Sequence, residues 1–325
     1  MRFIPLLGAL LVVAVNPAAW AFDCAKAKAP VERAICSDPA LKAADDDMSA
    51  AYAALRAAAD DAQREAWRGD QRDWIERRDG ICAAYDQGQD VSFDIACLKR
   101  LTEARTRELS ATPETTGQGA PRFLPVLTRV ADDAAQISVS ILRPRAVDPA
   151  LADLNAALDE AADASEADIG AGEGPYGRVV SYRILYASAR FVSVFFDIYE
   201  YTGGAHGMGY GRAVNFLPAA GKSLDFDDFI DEAGRKALIP LCRASIAAEK
   251  RERGVPEELI APSLTDDALD DGIAVLPAWS FDTKGARIRF DAYALGSYAE
   301  GAYDCTIGWS ALKPHLRPGA PLPFD

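Results

Sequence analysis

The sequence predicts a multidomain protein: an N-terminal, disulfide-stapled all-α helical bundle, then an α+β domain whose mostly antiparallel sheet is covered by helices. Three observations predict this. Apolar residues recur at helical spacing up to Ser110, whereas strand-like runs dominate from Phe123 onward. Between them, 112–121 is rich in Thr, Pro and Gly and reads as a linker. Finally, the six cysteines divide into Cys24, Cys36, Cys82 and Cys97 before the linker and Cys242 and Cys305 after it, an even number on each side. The expected boundaries are 1–21 for a signal peptide, 22–110 for the helical domain, 111–122 for the linker and 123–325 for the α+β domain.

Arg2, an apolar run from Phe3 to Val15, and Ala19-Trp20-Ala21 have the order of a basic region, a short apolar region and a small-x-small cleavage site. The run is too short to span a bilayer, which takes about 20 apolar residues. Cleavage near Ala21 would leave a periplasmic or secreted chain without stable membrane insertion, and the residue right after the cut, Phe22, is no cysteine that could accept a lipid. In such a compartment the cysteines read as disulfides; their spacings lack the C-x-x-C pairs of a zinc site. No cofactor or metal is expected.

In the first domain, Pro39 after Ser37-Asp38 suits a helix start, with Leu41, Met48, Tyr52 and Leu55 along one face. A second helix carries Trp67, Gln71, Trp74 and Arg78 and ends near Gly80; a third opens after Asp94. Antiparallel packing brings Cys36, Cys82 and Cys97 towards one end, with Cys24 nearby, and leaves all three pairings open. Trp74 and Arg78 are one turn apart, so the guanidinium is expected to pack on the indole. Phe22-Asp23-Cys24, Ile35-Cys36, the run from Gln71 through Trp74, Arg78 and Cys82, Cys97-Leu98 and Arg105-x-x-Glu108-Leu109 resemble the LprI N-terminal domain, a family named for lysozyme inhibition.

In the second domain, 123–130 and 135–142 read as strands, 149–164 as an alanine-rich helix, and 179–186 with 191–199 as a hairpin. Leu238, Cys242 and Ile246 share a helix face, and Tyr303, Cys305, Ile307 and Trp309 alternate on a strand. If that helix covers that strand, Cys242 and Cys305 can meet. A short helix after Ser310 and a tail from 318 close the chain.

The stretch Tyr199-x-Tyr201-Thr202-Gly203-Gly204-Ala205-His206-Gly207 joins two strand-like runs through a bend that only glycine makes easily. Together with Asn215-Phe216, Gly221 to Leu224, Phe226-Asp227-Asp228-Phe229 and Phe290-Asp291-Ala292-Tyr293, it resembles the extracellular sensor domain of RsiV-type anti-sigma factors, which also accompanies PdaC-type peptidoglycan deacetylases. The resemblance spans roughly 123–316 and implies a non-catalytic module; the RsiV branch recognises lysozyme. The candidate partner-binding residues are Tyr199, Tyr201, Gly203, Gly204 and His206, joined by Tyr298 and Glu300 of the glycine-bounded stretch from Gly296 to Gly301. Each has a plainer reading: His206 tying its bend to the backbone, and 296–301 as an ordinary strand connection.

The chain carries a net charge of −14, with 18 acidic and 14 basic residues over 22–110 and 31 acidic and 20 basic from Ala111 on. That field disfavours nucleic acid and favours a cationic partner. Two histidines, His206 and His315, give thin material for an Asp-His-His metal site, and no G-x-S-x-G serine motif occurs. The sequence thus reads as a non-enzymatic exported protein recognising lysozyme or another cationic cell-wall hydrolase. The competing reading is an envelope protein that binds peptidoglycan or another envelope component.

Overall fold

The computed structural model describes residues 23–84, 91–163 and 175–323; the signal-peptide segment, with its cut near Ala21, lies outside them. The helical part comprises α1 (Pro30–Ser37), α2 (Pro39–Ala58), α3 (Asp61–Cys82) and α4 (Ile95–Ser110), with a two-stranded ribbon of β1 (Ala83–Ala84) and β2 (Ser92–Phe93) between α3 and α4. Asp38, Asp60 and Asp94 begin the three long helices, each carboxylate accepting the amide of the residue three positions on. At Asp60 the Gln63 side chain completes a reciprocal capping box. Disulfides join Cys24 to Cys36 and Cys82 to Cys97, stapling α1 to the turn before it and the end of α3 to the first turn of α4. As expected, the Arg78 guanidinium lies over the Trp74 ring, 5.2 Å from its centroid; Arg105 lies at 5.5 Å.

The large sheet holds β3 (Thr115–Thr116), β4 (Phe123–Asp132), β5 (Ile137–Ala146), β6 (Tyr176–Ala187), β7 (Val192–Tyr201), β8 (Met208–Leu217) and β9 (Lys222–Ser223). Its order is β4-β5-β6-β7-β8-β9, antiparallel except where β5 and β3 both pair with β6 in parallel. Helix α5 (Ala152–Ala161) packs on it through Leu154 and Leu158. Beyond lie α6 (Phe226–Phe229), α7 (Glu232–Ala237), α8 (Ile239–Glu252), α9 (Glu257–Ser263) and α10 (Asp266–Ile273). A second, three-stranded sheet, β10 (Trp279–Phe281), β11 (Gly285–Phe290) and β12 (Tyr303–Gly308), is followed by α11 (Trp309–Leu312). Cys242 of α8 is bonded to Cys305 of β12, so the helix does cover that strand. Trp309, read as the last residue of the strand face, instead opens α11 and donates its indole N–H to Asp282 O. The separate small sheet and the α9–α10 pair were not anticipated.

One expectation is corrected. The middle of the segment read as a linker is bonded to β6 and the turn after it, with Thr115–Thr116 as a short strand: Glu114 N donates to Ile184 O at 2.7 Å, Gly117 N to Ala187 O at 2.8 Å, and Ala189 N to Gln118 O at 3.0 Å. The reason is backbone accounting. β5 pairs with β6 only as far as Val180, and 114–118 satisfies polar groups that β6 would otherwise leave open beyond that point.

The helices also share their core with the sheet. Met48, Trp67 and Leu109 belong to one apolar cluster with Val139, Ile141, Val194 and Phe196. Buried polar contacts cross the same interface. Arg105 Nη2 donates to Asp70, whose other oxygen accepts from Ser140 Oγ of β5. Arg105 also donates to Gln71 Oε1 at 3.1 Å and Glu108 Oε2 at 3.0 Å, and Tyr182 OH of β6 donates to Glu108 O at 2.6 Å. Burial alone would raise the Asp70 carboxyl, but Arg105 and Ser140 hold it below the usual range. At Glu108 burial prevails over the same arginine and pushes the carboxyl up.

Limited proteolysis should therefore spare 114–118; cleavage there with release of two stable fragments would contradict this packing. Arg105→Met should lower stability by about 3–5 kcal/mol, because it leaves Asp70 buried and uncompensated. An unchanged urea midpoint would show the network to be energetically idle.

Candidate functional site

Cross-strand register builds the floor of a cleft. Val179, Tyr199 and Gly209 are neighbours across β6, β7 and β8, and Ser181 pairs with Asp197. Helix α3 supplies one wall through Arg77, Gly80 and Ile81; Arg289, Ala292, Tyr298, Gly301 and Ala302 supply the facing one. The cleft is open to solvent and has a volume of about 760 Å³. Its surroundings carry exposed apolar side chains, Ile81 at 66% and Tyr199 at 45% exposure, with Met208 and Tyr293 also exposed.

The two glycine-bounded stretches singled out from the sequence meet at this cleft. The His206 ring stacks on Tyr298, centroids 3.9 Å apart, and Tyr298 OH donates to Gly207 O at 2.8 Å. His206 Nδ1 lies 3.0 Å from the same carbonyl; since a carbonyl only accepts, that nitrogen carries the proton. Tyr199 OH accepts from Gly207 N, and Tyr201 OH donates to Gly204 O. Gly203 and Gly204 form the tip with φ of 94° and 92°, and space is open around both, so backbone conformation alone calls for glycine there. At Gly207 the reason is different: a Cβ would meet Glu200 O and the Tyr199 ring at 2.5 Å.

Glu300 sits beneath this surface and is fully engaged. It accepts from Lys250 Nζ at 2.7 Å, Ser297 N at 2.8 Å and Tyr303 OH at 2.9 Å. Lys250 is 1% exposed and also donates to Leu295 O. Hydrogen bonds from Lys250 first, then Ser297, hold the Glu300 carboxyl at about 2. Its position makes it a brace for the Tyr298 turn. The sequence reading missed Arg77, Ile81, Asp197, Met208, Tyr293 and Arg289. Ile81 and Arg77 reach the cleft from a different part of the chain, and no local pattern marks them. Among the described residues no group of three or more His, Cys, Asp or Glu could hold a metal, and no helix is long and apolar enough to cross a membrane.

Residues 24–109 match the family model described as Lysozyme inhibitor LprI, and residues 124–209 match that described as Deacetylase PdaC. The chain thus carries an LprI-type segment followed by a PdaC-type one. Among solved structures it is similar to a DUF3298 family member from Bacteroides fragilis, at 19% identity over 62% of this chain and 96% of that one, TM-score 0.43. A DUF3298 family protein from Pseudomonas aeruginosa gives 17%, 61%, 95% and 0.43 respectively. No curated protein matches the chain.

Because the folded-state Glu300 carboxyl is depressed from 4.5 to about 2, its contribution is complete above about pH 4.5 and fades as pH falls through about 2. Glu300→Gln should cost about 1–3 kcal/mol at neutral pH, with the gap to wild type closing only in that acid window. A gap that closes instead between pH 5 and 7 (roughly the histidine range) would assign the brace to another group.

Proposed function

We propose that this chain is an exported, non-enzymatic binding protein that recognises and inhibits lysozyme or a related cationic cell-wall hydrolase, with the rim of the cleft as its contact surface. The observation that carries the reading is exposed apolar surface at the cleft, Ile81 on one wall and Tyr199 on the floor, with Met208 and Tyr293 exposed next to lining residues Gly209 and Ala292, on a chain of net charge −14. Exposed aromatic and aliphatic side chains around a cleft are typical interface anchors, and an opposite overall field speeds encounter with a cationic protein. The description of the family matched by 24–109 names lysozyme inhibition, and three disulfides suit an oxidising compartment. Tyr199, Tyr201, His206 and Tyr298 are proposed as contacts or supports of that surface; Gly203 and Gly204 give the tip its shape. Glu300 acts from beneath.

The test is inhibition of lysozyme, with binding followed by surface plasmon resonance and cytochrome c as a cationic control. Association should slow from low salt to about 0.15 M, where the screening length is near 8 Å. Ile81→Ser and Tyr199→Ala should chiefly speed dissociation, each costing about 1–3 kcal/mol. Equal affinity for cytochrome c, or no inhibition at micromolar protein, would refute the reading.

A further inference from the structure

Arg77 stands out within the cleft. It is half-buried, yet among the described residues its guanidinium makes no hydrogen bond or ion pair. The acids that act on it are Asp70, Asp73 and Glu108. All three are already engaged: Asp70 and Glu108 by Arg105, Asp73 by Arg129 Nη2 at 2.8 Å. Burial, the largest influence, depresses the Arg77 pKa, as expected for a cation short of partners. A guanidinium is a fork of donors matched to a planar two-oxygen acceptor, and a partly desolvated one gains most from such a partner.

The space in front of Arg77 is suited to a ligand. The cleft of about 760 Å³ lies within the size range of small-molecule sites, and a second hollow of about 170 Å³ shares Arg77, Ile81, Val179 and Ser181 with it, so the two adjoin at the arginine. Val179, Ile81, Tyr199 and Ala302 offer apolar surface, and Ser181 a hydroxyl. The other charges facing the cleft are largely answered. Asp197 lies 3.7 Å from Arg183, and Arg289 forms ion pairs with Asp291 at 3.5 Å and Asp304 at 3.4 Å, although its buried Nε makes no hydrogen bond among the described residues. Asp197 on the floor also disfavours a dianion, so a singly charged group fits better than a phosphate.

We propose that this cleft is a small-ligand site in which Arg77 takes the carboxylate of a compact ligand whose apolar or ring-shaped body lies against Ile81 and Tyr199. The site is composite: α3 contributes the anion-binding group and the sheet contributes the floor. It shares Ile81 and Tyr199 with the protein-contact surface proposed above, but the carboxylate contact at Arg77 is tested without any protein partner, so either reading can fail alone.

The test uses the purified full chain and two matched probe pairs: N-acetyltyrosine against its carboxamide, and glucuronate against glucose, with inorganic phosphate as the dianion. Binding is read in ¹H–¹⁵N spectra from the Arg77 Nε–H resonance in the wild type and, in wild type and variants alike, from the backbone amides of Val179 and Ser181 in the cleft. A carboxylate probe should move these resonances with a Kd of about 1 mM, usual for so small a ligand, while its neutral partner does not. Preference for N-acetyltyrosine or for glucuronate then separates a peptide-like from a saccharide source. Arg77→Gln should weaken the better probe by roughly tenfold or more, and Arg72→Gln, an exposed arginine on the same helix, should not. If Arg77→Gln does not fold, the contrast between carboxylate and amide in the wild type decides alone. Equal response to acid and neutral probes, tighter binding of phosphate, or no shift with any probe at about 10 mM would overturn the proposal.

Discussion

Arg105 enters the interior from α4 with almost none of its surface left to water, and the arrangement of the two halves follows from how its charge is answered. Its three nitrogens donate one bond each, to Gln71, Glu108 and Asp70, and Asp70 in turn takes the Ser140 hydroxyl of β5. Removing a charged group from water is tolerable only when its partners are placed with little freedom. The network therefore fixes how α3 and α4 lie on the sheet, in addition to whatever stability it contributes. The apolar contacts of Met48, Trp67 and Leu109 fill the space around it without the same directional demand.

That orientation has a consequence two turns further along α3. Once Asp70 is pinned to β5, the C-terminal turns of the helix must run past β6 and β7, which makes Arg77, Gly80 and Ile81 a wall over the strand face of Val179 and Tyr199. The opposite wall is held by an analogous device. A buried lysine, Lys250 of α8, is answered by Glu300 and Leu295 O, and the turn bearing Tyr298 is fixed against the glycine-rich loop. Two buried cations thus set the two sides of one cleft, and the Cys242–Cys305 bond ties the helix carrying the second of them to the small sheet.

The electrostatics divide by distance. Over the whole molecule the excess of carboxylates favours cationic partners and acts at long range. Inside the cleft the acids near Arg77 are consumed by other arginines, so the local balance is reversed. A global acidic field and a local anion site coexist because short-range hydrogen bonding, and not net charge, decides which groups remain available.

Read alone, the sequence determined the class of each half and the position of most of its elements. Helix starts at Asp38 and Asp94 depend on a capping side chain three residues from its target, and the hairpin of β6 and β7 on residues a few positions apart; both are local and therefore legible. The facing of Cys242 and Cys305 followed from two periodicities, 3.6 and 2. The glycine-rich loop was legible because its bend restricts residue type. Tertiary structure decided the rest. The 112–121 segment carries Pro, Thr and Gly like any linker, and Thr115–Thr116 become a strand only because β6 has unpaired groups beside them. Glu300 has the composition of an exposed loop acid until Lys250, fifty residues earlier in the chain, arrives beneath it. Arg77 is one of several arginines on α3, and its lack of a partner exists only once its neighbouring acids have been claimed by Arg105 and Arg129. Local patterns fix local conformation; which polar groups are left unanswered is settled when distant segments pack.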